Sequence, residues 1–224
     1  MLYASDVDHT VSSALREDVE PPRTETWWAL LKGAERLFAE RGIEGVSLRQ
    51  IVTASGQRNP AAVQYHFRDK EGLIRAIVGE RAPALTRARA EMLEALAARG
   101  AEEDLRELVS AVITPLLDPT LASSYYVRFL ARLTEDRELS RRVFLSLDEA
   151  VRGGARVNEA LQHALRHLPA RVRDARIAMT FNLLTDELAQ RLTTSAADAP
   201  PREVFVDDLL DAAVGLLSAP VTRR

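Results

Sequence analysis

The chain has 224 residues, of which 46% are apolar, 28% charged and none cysteine. That length and apolar share suffice for one large domain or two small ones. The lack of cysteine excludes disulfides, thiolate metal sites and a cysteine nucleophile.

The net charge is −3, and its distribution is uneven. Residues 1–22 sum to −4, whereas 23–81 sum to +3. A modest basic excess is thus confined to one segment, which is where attraction to phosphate would need it. No apolar run approaches the roughly 18 residues that span a bilayer. The start MLYASDVDHTVSSALREDVE lacks the basic and apolar parts of a secretory signal. A cytoplasmic protein with no membrane association is expected.

Residues 1–22 show little periodicity and end in Pro21-Pro22, so a disordered acidic tail is expected. From Thr24 a helical period begins. Trp27, Leu30, Leu31, Ala34, Leu37 and Phe38 form one apolar stripe, Thr24 or Thr26 can cap it, and Gly42 ends it. A short helix is expected over Ser47 to Ser55, with Ser47 as N-cap and Leu48, Ile51 and Val52 inward. Gly56 supplies the left-handed residue that a tight turn between helices requires. Asn59-Pro60 restarts a brief helix through Phe67, with Val63 and Phe67 inward, and Asp69 caps the next one. Further helices are expected at 70–98 (with a bend or break near Pro83), 103–117, 122–134, 138–168, 169–194 and 202–218. No strand pattern occurs, and 195–201 reads as a loop.

Three short helices with a glycine turn make a compact helix-turn-helix. The second helix of such a pair enters the major groove, and its N-terminal residues meet base edges. That places Arg58, Asn59, Ala61, Ala62, Gln64 and Tyr65 near DNA. Glutamine can pair with an adenine edge and arginine with guanine. Alanine permits close approach and can touch a thymine methyl. Tyrosine, histidine and lysine can donate to phosphates, and Lys70 stands at a helix N-terminus, where backbone N–H groups also attract anions. The same helix pair occurs in proteins that never touch DNA, in which Tyr65 and His66 would be structural.

Residues 24–78 resemble the N-terminal domain of the TetR/AcrR family. The resemblance rests on Ala34, Leu37, Phe38 and Gly42, on Ser47-Leu48-Arg49-Gln50-Ile51, on Ala54-Ser55-Gly56, on Val63-Gln64-Tyr65-His66-Phe67 and on Asp69-Lys70-Glu71-Gly72-Leu73. It covers about a quarter of the chain. It implies that Tyr65 or His66 and Lys70 contact phosphates, and that Ser47 and Arg49 lie near the DNA backbone or groove edge. One departure stands out. Gln57-Arg58-Asn59-Pro60 makes the stretch from Gly56 to Tyr65 one residue longer than the commonest family pattern. The register of base contacts over 57–62, from Gln57 to Ala62, is therefore left open.

The resemblance also implies an all-α chain. A DNA-binding domain at 23–81 would precede a helical regulatory and dimerisation domain at 82–224. The latter would dimerise through its last two helices and hold a small-molecule effector between the others. Apolar faces at 169–194 (Val172, Ala175, Met179, Leu183, Leu188, Leu192) and 202–218 (Val204, Leu209, Leu210, Ala213, Leu216, Leu217) suit a homodimer on a palindromic operator of double-stranded DNA. Tyr125, Phe129, Phe144, Leu147 and Met179 are candidate effector contacts, although each also suits ordinary core. His163 and His167 are four apart but lack a third ligand. They read as surface residues, and no metal or cofactor is expected. Arg171, Arg173 and Arg176 read as a solvated face. The chain carries no nucleophile elbow, P-loop, dinucleotide fingerprint or metal-ligand set, so an enzyme is not expected. A ligand-released repressor is the expectation. A helical interaction module without ligand control is the alternative.

Overall fold

The computed structural model describes residues 22–59, 61–147, 153–194 and 200–221. The expected tail at 1–22 lies almost wholly outside them, as do Pro60 and most of the loop at 195–201. Every regular element among the described residues is a helix: α1 (Glu25–Arg41), α2 (Leu48–Ala54), α3 (Ala61–Phe67), α4 (Lys70–Ala98), α5 (Leu105–Leu117), α6 (Ser124–Glu135), α7 (Arg137–Leu145), α8 (Gly153–Ala164), α9 (Ala170–Arg191) and α10 (Arg202–Ser218).

Local signals place most of the boundaries. The Thr24 hydroxyl accepts from the Trp27 amide, and the Gly42 amide donates to the Phe38 carbonyl. Ser47 forms a reciprocal capping box with Gln50. Asp69, Asp104, Ser123 and Asp136 cap α4, α5, α6 and α7 through their side chains. Pro83 lies inside a continuous α4, which crosses the boundary expected between residues 81 and 82.

The helix expected over 138–168 is instead two. α7 closes at Ser146, whose hydroxyl donates back to the Val143 carbonyl at 2.7 Å. α8 starts at Gly153-Gly154, residues that hold helix poorly. The chain turns again over 165–168, just ahead of Pro169.

The buried residues form one continuous core running from Trp27 on α1 to Leu217 on α10. The stripe of α1 is buried along its full length. Its largest partner is α6, where the Phe38 and Phe129 rings stack 6.1 Å apart. α1 thereby belongs both to the helix-turn-helix and to the helical body behind it.

One expected solvated arginine is buried. Arg176 on α9 donates to the carbonyls of Leu217 at 3.0 Å and Pro220 at 3.3 Å. It thus neutralises the carbonyl end of α10, where a cation is favoured and the last carbonyls lack helical partners.

Candidate nucleic-acid interface

The helix-turn-helix packs its apolar side against α1. Gly56 adopts φ +69°, the left-handed conformation needed to reverse the chain out of α2. Val63 and Phe67 bury one side of α3, and the Phe67 ring packs 5.5 Å from that of Trp27. The opposite side is therefore held outward. Ala61, Gln64 and Tyr65 are exposed there, with Tyr65 at 67%, while Ala62 and His66 are half-buried. A large aromatic side chain left in solvent on a locked helix suits a surface that something else covers.

The long turn sorts its polar groups. The Asn59 carboxamide oxygen accepts from the Ala61 amide at 3.0 Å, so it caps α3. Gln57 is half-buried, and its side chain folds back toward the Ser55 carbonyl at 3.5 Å. Arg58 is exposed between them. The long turn thus holds Arg58 outward, while Gln57 and Asn59 stabilise it.

Phosphate-donor candidates flank this helix. Ser47 and Arg49 are exposed at the start of α2, with the Ser47 hydroxyl engaged by Gln50. Lys70 opens α4, and its ammonium lies over the Phe38 ring at 5.8 Å. Burial pulls the Lys70 pKa below its ordinary value, and Glu44 opposes that shift. Burial likewise holds His66 below the ordinary histidine value, which favours its neutral form. Arg41 and Thr53 join Arg49 around a groove of about 320 Å³ between α1 and α2. Arg41 stands in the last turn of α1. Its spatial closeness to Arg49 follows from the α1–α2 crossing, which no local pattern encodes.

The five expected effector contacts differ in burial. Phe129 is fully buried between Phe38 and Tyr126. Tyr125, Phe144 and Met179 are exposed on α6, α7 and α9, and Leu147 is half-buried. A polar cleft of about 310 Å³ between α1, α6 and α9 is lined by Arg128, Glu135, Asp186 and Gln190, and by none of those five. Burial, with Glu135 and Glu187 adding to it, raises the Asp186 pKa, while Arg132 opposes the shift. His163 pairs with Glu103 at 3.3 Å beside Arg166. No metal-binding cluster occurs among the described residues.

What sequence reasoning missed is a polar junction behind the helix-turn-helix. Glu35 on α1 is 4% exposed. Its carboxylate accepts from the Ser123 hydroxyl at the start of α6 and pairs with Arg81 of α4 at 3.4 Å. Three helices meet at one carboxylate. The signal was present, since Glu35 falls four residues after Leu31 and three before Phe38, on the apolar stripe.

The profile of "Bacterial regulatory proteins, tetR family" matches residues 30–77. The HTH-type transcriptional repressor AcnR of Corynebacterium diphtheriae is 36% identical over 81 residues, 36% of this chain and 38% of that protein. AcnR of Corynebacterium glutamicum is 36% identical over 80 residues, with the same shares. The matched part thus spans little more than a third of these relatives. A TetR-family regulator from Mesorhizobium loti gives a TM-score of 0.49 at 15% identity, covering 87% of this chain and 95% of that one. RolR in complex with resorcinol gives 0.46 at 17% identity, covering 90% and 97%. Residues 30–77 of this chain are thus similar to the DNA-binding segment of the tetR family of bacterial regulatory proteins.

Proposed function

We propose that this protein is a sequence-specific DNA-binding transcriptional regulator, a repressor released by a small-molecule effector. The outward face of α3 and the turn before it carry the proposal: Ala61, Gln64 and Tyr65 project from a helix whose other side is packed by Val63 and Phe67, and Arg58 is exposed in the turn ahead of it. Arg58 reads guanine, Gln64 reads adenine, and Ala61 lies against a thymine methyl. Tyr65, His66, Lys70, Arg49 and Ser47 hold phosphates and fix the register. Gln57 and Asn59 shape the turn that presents Arg58.

Two copies act together. Of the expected faces, Leu188, Leu209, Leu210, Ala213 and Leu217 are buried within the subunit, whereas Ala175, Met179 and Val204 are exposed, Val172 and Leu183 half-buried, and Ala212 and Gly215 are exposed beside them on α10. These surfaces suit a four-helix homodimer interface, which would place the two α3 helices in successive major grooves about 34 Å apart on a palindromic operator. No described helix is long and apolar enough to cross a membrane. A site of action on cytoplasmic DNA is consistent with that.

Effector control runs through the Glu35 junction. A ligand that favours one arrangement of α4 and α6 over another changes where α1 sits, and with it α3. Its effect on DNA affinity is limited to its differential affinity for the two arrangements. Capture of genomic fragments by the purified protein, followed by sequencing, tests the proposal. Recovery of one palindromic motif supports it, and fragments without a shared motif refute it.

A further inference from the structure

Arg89 lies on the same side of α4 as Arg81, two helical turns on. The pattern Ile77, Arg81, Leu85, Arg89, Leu93 sets both arginines among apolar positions. Arg89 Nη2 donates to the Val112 carbonyl of α5 at 3.1 Å. Its Nε is shielded from solvent and has no partner among the described residues, and the same holds for Arg81 Nε. No described carboxylate pairs with Arg89, whereas Arg81 has Glu35. Tyr126 of α6, 2% exposed, interacts electrostatically with both arginines and with Glu35. Burial pushes its phenol well above the ordinary tyrosine value, so the hydroxyl is kept protonated and can donate.

Between α4, α5 and α6, Arg81 is partly exposed and paired with Glu35, whereas Arg89 is half-buried and lacks a described carboxylate partner. A partly desolvated cation without a carboxylate partner favours an anion that can reach it. We propose that Arg89 binds the carboxylate of the small-molecule effector, with the Tyr126 hydroxyl as second donor. This assignment rests on the ligand-responsive reading above and names the effector's chemical class. A carboxylate supplies the single negative charge that is lacking, and its planar pair of oxygens matches the guanidinium fork. A phosphate dianion would reverse the imbalance. The position also suits control of DNA binding. The Tyr126 amide donates to Ser123 Oγ at 3.0 Å, and Ser123 Oγ donates to Glu35. An anion on Arg89 and Tyr126 thus acts on the turn of α6 that holds α1.

The test uses the full chain, with sodium benzoate and sodium butyrate compared against benzamide and butyramide at constant ionic strength. Thermal unfolding and operator binding are both recorded. The acids are expected to raise Tm by about 3 °C or more at saturation, and the neutral amides to leave it unchanged. Arg89→Met abolishes the difference and itself unfolds at a higher temperature than the parent, because the unpaired charge is gone. Tyr126→Phe keeps the fold and weakens the response severalfold, so it decides the matter if Arg89→Met does not fold. Equal responses to acid and amide, or an undiminished acid response in these variants, would overturn the assignment. Loss of DNA binding without any added acid would count against the regulator reading, and the acid–amide contrast in Tm would still report on Arg89.

Discussion

The Ser123 hydroxyl donates to the Glu35 carboxylate at 2.5 Å, joining the first turn of α6 to the middle of α1. Arg81 approaches the other carboxylate oxygen from α4. Removing Glu35 leaves that guanidinium without its carboxylate. Glu35→Ala is expected to cost about 1–3 kcal/mol, measured as a shift of the urea midpoint, because it removes the buried acceptor shared by Ser123 and the half-buried Arg81. Glu35→Gln keeps a hydrogen-bond acceptor and should cost clearly less. Equal costs would mean that Glu35 acts there only by filling space.

Gly72 sits in the first turn of α4, where its amide donates to Asp69 Oδ1 at 2.7 Å. A methyl group there would run into the backbone carbonyl oxygen of Phe67, which cannot swing aside as a side chain would. Gly72→Ala should destabilise the chain by about 1–3 kcal/mol. It should also weaken DNA binding, since the strain falls between α3 and Lys70. Gly154 faces open space, so Gly154→Ala is the control expected to keep both stability and affinity.

Met179 is 42% exposed on the outward face of α9. If that face joins two subunits, Met179→Asp buries a charge at the interface and converts a dimer to a monomer in sedimentation velocity. Operator affinity should fall about a hundredfold or more as one recognition helix is lost, whereas non-specific binding should change little. An unchanged dimer would place the interface elsewhere.

His66 gives the stability curve a sign. Its folded pKa lies below 6.5, and its Nδ1 is shielded without a partner among the described residues. As pH falls through 6.5 the unfolded chain takes up the proton first. The stability that His66 contributes is therefore present above that pH and lost below it. Between pH 7.5 and 5.5 the urea midpoint should fall less in His66→Gln than in the parent.

The helix-turn-helix was legible because its signals are local. Thr24, Ser47 and Asp69 cap neighbouring amides, Gly56 takes the left-handed turn, and the stripe from Trp27 to Phe38 repeats at the helical period. The split between α7 and α8 was missed because the apolar pattern continues across Ser146 and the Gly153-Gly154 pair. The burial of Arg176 depends on where α10 ends in space, which its own helix does not reveal. Glu35 and Arg89 lie between these cases. Each is a charged residue on an otherwise apolar face, a pattern visible in the sequence whose meaning depends on which helix packs against it.

Fluorescence anisotropy of a labelled duplex is the most direct test that α3 reads DNA. The duplex should carry the motif recovered from genomic fragments, with a scrambled duplex of equal length as control, and salt should be titrated from about 50 to 200 mM. Binding should be at least about a thousandfold tighter to the motif, with log affinity falling by about 0.9 per contacted phosphate for each log unit of salt. Gln64→Ala should cost about 1–3 kcal/mol of discrimination at one base pair, while Lys70→Ala weakens both duplexes alike. Equal affinity for the two duplexes, or affinity indifferent to salt, would contradict the assignment of α3 as a DNA-reading helix.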